Sequence, residues 1–582
     1  MCDHDSRKQR NSKSHKKNHK RQQQSNQQPG NNNHHEDPDD PEWDLPPGRP
    51  FKVKISPTMG RYLVATKDIA AGDLILREEA LIVGPCQNSK PVCLGCLKQF
   101  DGEHYIRSSD NEDCHRCMGC QWPLCSPTCP GLERDGHARH ALLGHTYEEC
   151  AALSAAGPSG RRVMDLRART PLYNVIVPLR ILLLEKQDPA RWRAVRRMQS
   201  HDSVRRQIPG VWQVNQLGVV DRIRNEFGLQ QFAEDEIHSV CGILEVNAFE
   251  VGDGQRALYD LAFLLAHDCT PNTSHADDES RALSIRASVP IPKGRAITLS
   301  YAYTIQGTLK RREHLKESKF FDCCCPRCSD PTELGTMCSA LVCPRCGRAS
   351  VLPTDPLQAD APWRCVPRSA PAPAPTPAGK HAEPNPCPGY EMPAKEVKEF
   401  LDKLTDESEA LDHNDVMGLE GFLVKHAARL HPNHFVLLGA KHSLSQVYGK
   451  VQGYLIHQLS DALLERKLTI CREILRIFDV LEPGVSRLRG ENQFDHFDAL
   501  LVSHPKSEGI TLYEMHAPIM ILTTRQFEAN AISRKDLRTR LREVAACLEQ
   551  AAHILCLEPE SSSEGAVGRA AQDALQRVRQ WQ

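Results

Sequence analysis

The chain has 582 residues, 24 of them cysteine, and its 73 Lys and Arg against 74 Asp and Glu leave a formal net charge of −1. That length implies several domains with ample chain for a hydrophobic core, and the charge balance excludes a molecule that binds nucleic acid or a membrane through its overall field. No apolar run approaches the ~18 residues needed to span a bilayer, so no membrane association is expected, and the polar, basic N-terminus lacks the apolar stretch of a secretory signal.

An intracellular, reducing location is therefore expected, in nucleus and/or cytoplasm, where disulfides are rare. Abundant cysteine in such a place points to metal or catalysis. Residues 1–48 read as a disordered basic and polar tail. Eight Lys and Arg lie between Arg7 and Arg21, an acidic run follows over 36–44, and no apolar period exists. A solvated tail is the simplest reading. A nuclear import signal or a nucleic-acid arm stands beside it, and direct nucleic-acid binding is not expected elsewhere in the chain.

Structure is expected from Phe51. Phe51 to Ile55 alternates like a strand, and Tyr62 to Ala65 and Leu74 to Leu76 read as two more, parted by the turn at Ala71-Gly72-Asp73. The cysteine cluster 93–150 interrupts this β region. Residues 166–240 read as helical, and strands return over 283–287 and 296–301. Eight prolines between Pro367 and Pro388 mark an extended insertion. Beyond it the chain reads as helical. Leu464, Leu468, Cys471, Leu475 and Phe478 recur at helical spacing, as do Leu541, Val544, Leu548, Ala551 and Leu555. Residues 491–510 break the pattern as an inserted loop. Cys471, Cys547 and Cys556 read as small buried hydrophobes.

Fourteen cysteines fall into three groups by spacing. The first is Cys93-x2-Cys96, Cys117-x2-Cys120-x4-Cys125-x3-Cys129 and His145-x4-Cys150. Each Cys-x2-Cys pair forms a turn that aims two thiolates at one point, and tetrahedral zinc takes four such ligands. Seven Cys and one His supply two closed sites with no open position for water, so these zincs read as structural. Cys114 stands as a spare ligand, and His140 or His137 as alternatives to His145. The second group is Cys323, Cys325 and Cys328. The third, Cys343-x2-Cys346 with Cys365 and Cys387, reads as a zinc ribbon whose second pair is split by the Pro-rich insertion. Cys387 is the ligand that fails if the insertion prevents closure.

The first cluster resembles the MYND zinc finger. The resemblance implies interleaved pairs, with Cys93, Cys96, Cys125 and Cys129 on one zinc and Cys117, Cys120, His145 and Cys150 on the other. It also implies a finger that binds proteins, especially proline-containing peptides. The flanks resemble a SET domain in order: Gly60-Arg61-Tyr62 opening the motif over 60–73, Asn247-Ala248-Phe249, Ala266-His267-Asp268-Cys269-Thr270-Pro271-Asn272, Ile297 to Tyr301, and Phe321 to Cys328. A MYND finger inserted in a SET domain marks the Smyd family. The motif 266–272, the segment Gly-Thr-Leu-Lys-Arg-Arg-Glu at 307–313 and Asp-Pro-Thr-Glu at 330–333 are most similar to its arthropod-type branch.

The fold class implied is multidomain α+β. A disordered tail (1–48) precedes the N-terminal SET part (49–92), the MYND finger (93–150), a helical SET insert (151–240) and the SET core (241–305). A post-SET segment (306–335), a zinc-ribbon-like segment with the Pro-rich insertion (336–392) and an all-α helical-hairpin domain (393–582) complete it. By resemblance, Cys269 completes the post-SET zinc site with Cys323, Cys325 and Cys328.

The activity implied is S-adenosylmethionine-dependent methylation of protein lysines, histone or non-histone, in transcriptional regulation. Tyr301 would be catalytic, beside the transferred methyl, and Tyr303 could line the same channel. Gly60, Arg61 and Tyr62 would touch the cofactor through backbone. Asn247 and His267 would hold its amino-acid part or ribose, and Phe321 would cover the adenine or close the channel. Three departures carry the alternative of a catalytically weak or inactive adaptor or corepressor. Ala266 stands where the family has Asn, Gly-Arg-Ala-Ile at 294–297 lacks the family's acidic pair, and Tyr62 replaces a glycine.

Overall fold

The computed structural model describes residues 48–100, 115–132, 144–155, 163, 166, 168–252, 254–366, 387, 389–484, 507–560 and 562–581. The expectations for the tail before Gly48, for the proline run up to residue 386, for the loop at 491–506 and for Cys114, His137 and His140 lie outside these residues. A helix spans Ser507–Glu528, so the last four positions of the loop expected over 491–510 belong to it.

The strands, in chain order, are β1 (Phe51–Ser56), β2 (Gly60–Ala65), β3 (Leu74–Glu78), β4 (Ile82–Pro85), β5 (His115–Arg116), β6 (Pro123–Leu124), β7 (Phe249–Val251), β8 (Gln255–Leu258), β9 (Ala266–His267), β10 (Thr273–Asp277), β11 (Leu283–Ala287), β12 (Thr298–Leu299), β13 (Leu341–Val342), β14 (Ser350–Pro353), β15 (Trp363–Val366) and β16 (Glu391–Met392). β1 and β2 form a hairpin with Phe51 opposite Ala65. Two antiparallel sheets follow, in the orders β10-β11-β3 and β4-β8-β7. Along β11 the apolar residues Leu283, Ile285 and Ala287 are buried while Ser284 and Arg286 are not, the period of two that a half-covered sheet requires.

β9 and β12 pair in parallel, Ala266 with Thr298 and His267 with Leu299. Parallel neighbours need a long connection, here the chain carrying the β10–β11 hairpin. Asn272 locks the crossing. Its amide donates to the Ala296 carbonyl at 2.8 Å and its side-chain oxygen accepts the Thr298 N–H at 2.8 Å. The strand expected over 296–301 shortens to β12 because the Tyr301 N–H is given to the His267 ring, not to a ladder.

The helix Ile176–Gln187 is buried on nearly every side in its first nine residues. Pro178 falls in its first turn, where a missing N–H costs nothing. Gly84 on β4 lets this helix seat, since a Cβ there would come within 2.5 Å of Val177 Cγ2. The helix Glu234–Asn247 runs across the 240/241 boundary drawn from sequence and delivers Asn247 at its last position.

After β16 come the helices Ala394–Glu409, Val416–His426, Phe435–Val447, Asp461–Leu481, Ser507–Glu528, Arg534–Leu555 and Ser563–Arg579. From Val416 onward each packs on the next. Leu464, Leu468, Leu541, Val544 and Leu548 lie in the core, as do Cys471 and Cys547. Cys556 is exposed, contrary to its sequence reading, because it caps the helix end beyond Leu555. The sheet β13-β14-β15-β16 shares this core through Leu341, Val351 and Trp363. No helix among the described residues is long and apolar enough to cross a membrane.

Candidate active site and metal centres

Four groups of side chains converge, each with its ligand atoms within 4.8 Å of one another: Cys93, Cys96, Cys125 and Cys129; Cys117, Cys120, His145 and Cys150; Cys269, Cys323, Cys325 and Cys328; Cys343, Cys346, Cys365 and Cys387. The sulfur separations decide what they suit. Cys93–Cys129 and Cys96–Cys125 stand at 3.6 Å, Cys117–Cys150 at 3.5 Å, Cys269–Cys328 at 3.6 Å and Cys343–Cys387 at 3.8 Å. A disulfide needs about 2.05 Å. A tetrahedron of sulfurs about 2.3 Å from zinc has edges of about 3.8 Å. The donor sets fit four-coordinate zinc.

His145 presents Nε2 at 3.4 Å from Cys120 Sγ while its Nδ1 meets Glu149 Oε2 at 2.7 Å. Arg180 donates to Glu149 at 2.8 Å and to the carbonyls of Val83 and Leu94. A carboxylate behind a histidine fixes the ring and its tautomer for metal binding. Sequence reasoning missed both partners. Glu149 carried a signal, four residues past His145 at helical spacing. Arg180 lies 31 residues further on and carried none. Close approach of the finger's segments depends on Gly131, where a Cβ would fall 2.1 Å from the Gly95 carbonyl oxygen.

The Cys269 group ties β9 to the segment 323–328, and a buried ionic cluster surrounds it. Arg311 reaches Cys269 Sγ at 3.4 Å and Cys328 Sγ at 3.6 Å. Glu333 accepts from Arg311 at 2.7 Å and from Arg327 at 2.9 Å. Burial raises the Glu333 pKa, but the two guanidiniums outweigh it and hold the carboxyl down at about 2. A centre of four thiolates on zinc carries two net negative charges, which this arginine-rich shell offsets.

Beside this centre lies a cavity of about 320 Å³, at the lower end of the range for small-molecule sites. Its wall comes from the start of β2, the end of the helix Glu234–Asn247, the turn Ala262–Leu264, β9, and residues near 299–301 and 319–321. Gly60 occupies a left-handed φ of +64°, which an L side chain adopts only with strain. Arg61 donates to the Arg197 carbonyl at 2.5 Å and lies over the Phe263 ring at 5.7 Å. Asn247 spends its amide hydrogens on the carbonyls of Ile243 at 2.8 Å and Gln199 at 2.9 Å.

His267 lines the cavity, yet both ring nitrogens serve the protein. The Tyr301 N–H donates to Nδ1 at 2.9 Å, so the proton sits on Nε2, 3.2 Å from Cys269 Sγ. His267 thus hangs the backbone of Tyr301 from Cys269, a candidate metal ligand, while its ring lines the cavity. The Tyr301 hydroxyl donates to the Leu265 carbonyl. Phe321 stands 5.7 Å from the His267 ring. Tyr62 is not part of the wall: successive side chains on a strand face opposite ways, and Arg61 faces the cavity. The Tyr62 side chain is therefore not among the groups that line this cavity. Tyr303 also lies outside the wall.

Four contributors escaped sequence reasoning. Lys319, nearly buried, donates to the carbonyls of Glu245 at 3.0 Å and Val246 at 3.1 Å. His201 and Phe320, rings 5.9 Å apart, both hold left-handed backbone, at φ +52° and +61°; such strain in non-glycine residues gathers at functional sites. Glu78 accepts the N–H groups of Leu261 at 3.0 Å and Ala262 at 2.8 Å, fixing the turn that forms the wall, and burial raises its pKa to about 7.

The sheets, the Asn272 crossing and the cavity above a four-cysteine centre define a SET domain, and the SET domain family model matches residues 60–302. The Drosophila melanogaster SET domain-containing protein SmydA-8, isoform B, is 32% identical over 343 residues, covering 56% of this chain and 68% of that protein. Isoform A is 30% identical over 326 residues, covering 54% and 64%. Mouse histone-lysine N-methyltransferase Smyd1 is 26% identical over 313 residues, covering 48% and 55%. The chain belongs to the SET and MYND domain (Smyd) family, which includes protein-lysine methyltransferases. It spans about two thirds of the length of the SmydA-8 isoforms and about half that of Smyd1.

Proposed function

We propose that this chain is an S-adenosylmethionine-dependent protein-lysine N-methyltransferase braced by four structural zinc ions. The observation that carries the reading is the placement of Tyr301 in the cavity wall, held through His267 against the Cys269 centre. The cofactor supplies a methyl group on a sulfonium, and the protein supplies position and electrostatics. The Tyr301 hydroxyl, turned toward the Leu265 carbonyl, presents its oxygen to an incoming amine and orients it for in-line attack. Arg61 and Lys319 receive the cofactor's carboxylate, and Phe321 covers a flat ring. Excluding water from the channel keeps the lysine amine neutral.

The domain limits drawn from sequence are kept in this proposal, except that the helix Glu234–Asn247 carries the helical insert past 240. The finger of 93–150 recruits partners, proline-containing peptides among them. Substrates are lysine-bearing proteins, histone or non-histone, met inside the cell in transcriptional regulation. A second reading, an adaptor that works by protein binding alone, is favoured by Ala266, which brings no polar group to the cavity wall. A calorimetric titration of S-adenosylmethionine into the zinc-loaded chain separates the two. One saturable site per chain is expected, and absence of heat at millimolar cofactor would leave the adaptor.

A further inference from the structure

Arg256 is a buried cation with an empty edge. It lies on β8, between β4 and β7, and is 5% exposed. Its Nε and Nη2 meet no hydrogen-bond acceptor among the described residues. These two atoms form the side of a guanidinium that takes a planar oxyanion with two parallel hydrogen bonds. Elsewhere in this chain the same side is filled. Arg180 gives Nε and Nη2 to Glu149 at 2.8 and 3.2 Å, and Arg466 gives both to Glu420 at 2.9 Å. A buried donor left open in this way calls for an occupant. Burial draws the Arg256 pKa below the ordinary arginine value, and the charge that most opposes this is that of Cys86.

The sheet register places that thiol. Gly84 on β4 pairs with Arg256, and the Cys86 N–H continues the ladder to the Gly254 carbonyl at 3.0 Å. Two residues past Gly84, Cys86 projects from the same face of the sheet, diagonal to Arg256 and within reach of a long side chain. The other acidic groups whose charge acts on Arg256 are not open to it. Cys241 is fully buried, and burial pushes its thiol up to about 12. Glu245 is spent on Arg205 at 2.8 Å and on Asn215 at 2.6 Å. Cys86 is half-buried, within reach of a small solute, and belongs to none of the four metal centres.

We propose that Cys86 is a peroxide-reactive thiol, and that Arg256 is the cation that holds its thiolate and then seats the oxygen of the oxidised sulfur. A thiolate beside an arginine is the more populated and more reactive form. Its sulfur attacks one oxygen of a hydroperoxide. An S–O bond forms and the O–O bond breaks, with sulfur oxidised by two electrons and the peroxide reduced. With hydrogen peroxide, the departing hydroxide takes the proton of the new S–OH and leaves as water. The sulfenate that remains accepts from Nε–H and Nη2–H, the two donors that otherwise have no partner.

The test is a brief exposure of the zinc-loaded full chain to hydrogen peroxide at neutral pH, with dimedone to trap sulfenate and site-resolved mass spectrometry to count it. Cys556, exposed and outside the four centres, is the internal reference. Cys86 is expected to label at least about tenfold faster than Cys556 although it is the less exposed of the two. Zinc is counted in the same samples, and Cys86 should label before any is released. Arg256→Met replaces an unpaired buried charge by hydrocarbon, which does not by itself cost folding stability. It should bring Cys86 down to the rate of Cys556, while Arg256→Lys keeps most of the difference. A wild-type rate at Cys86 no greater than at Cys556 overturns the proposal with no variant needed. Labelling that follows zinc loss, or an unchanged rate in Arg256→Met, overturns it as well.

Discussion

Glu333→Ala is expected to cost about 3–5 kcal/mol of folding stability, because it strands two guanidiniums in the interior. Glu333 is 1% exposed and Arg311 and Arg327 are fully buried. The carboxylate also accepts the Thr308 N–H at 3.1 Å and the Ser339 hydroxyl, so it joins the segment 304–311 to the start of the ribbon. Thermal or denaturant unfolding of zinc-loaded protein measures the loss. A change below about 1 kcal/mol, the range of exposed pairs, would mean the cluster is not the buried keystone its geometry describes. The wild type carries a matching pH signature. The folded-state pKa of about 2 lies below the ordinary 4.5, so the carboxylate's contribution is complete above pH 4.5 and is lost as pH falls toward 2.

Loss of the centre at Cys269 should have the other large effect. Structural zinc contributes about 10–16 kcal/mol of apparent binding energy that doubles as folding energy. Cys269 is fully buried, and it alone of the four ligands comes from the sheet side. Cys269→Ser is expected to lower bound zinc from four to three per chain, read by metal analysis. It should also abolish nucleoside binding, because the thiolate that accepts from His267 anchors the Tyr301 backbone. Zinc-depleted protein that still bound the nucleoside with unchanged affinity would show that the cavity stands without its metal.

What the sequence disclosed and what it hid divide by distance along the chain. The Cys-x2-Cys turns are local, so their chemistry was readable from spacing, and Phe51, Leu74 and Leu283 opened strands where alternation placed them. The side-chain direction of Tyr62 was local information: beside Arg61 on β2 it is carried to the other face of the strand. The shortened β12 could not be read, because its end depends on a hydrogen bond from Tyr301 to a ring 34 residues earlier. Arg180, Lys319 and Glu333 were equally hidden. Their partners lie on other elements, and a lone Arg, Lys or Glu is most often a solvated surface residue. His267 shows a related limit: the motif singles out the residue, but not its hydrogen bonds to Tyr301 and Cys269.

Methyl transfer itself tests the account most directly. Zinc-loaded chain would be incubated with methyl-labelled S-adenosylmethionine and lysine-rich histone and non-histone proteins, with a hydrolase present to remove the thioether product. Label is expected on lysine side chains, and Tyr301→Phe should reduce its rate by about 100-fold or more while cofactor affinity stays within about twofold. Full activity in Tyr301→Phe, or no labelled lysine from wild-type protein that binds the cofactor, would contradict the assignment of this cavity as a lysine methyltransferase site.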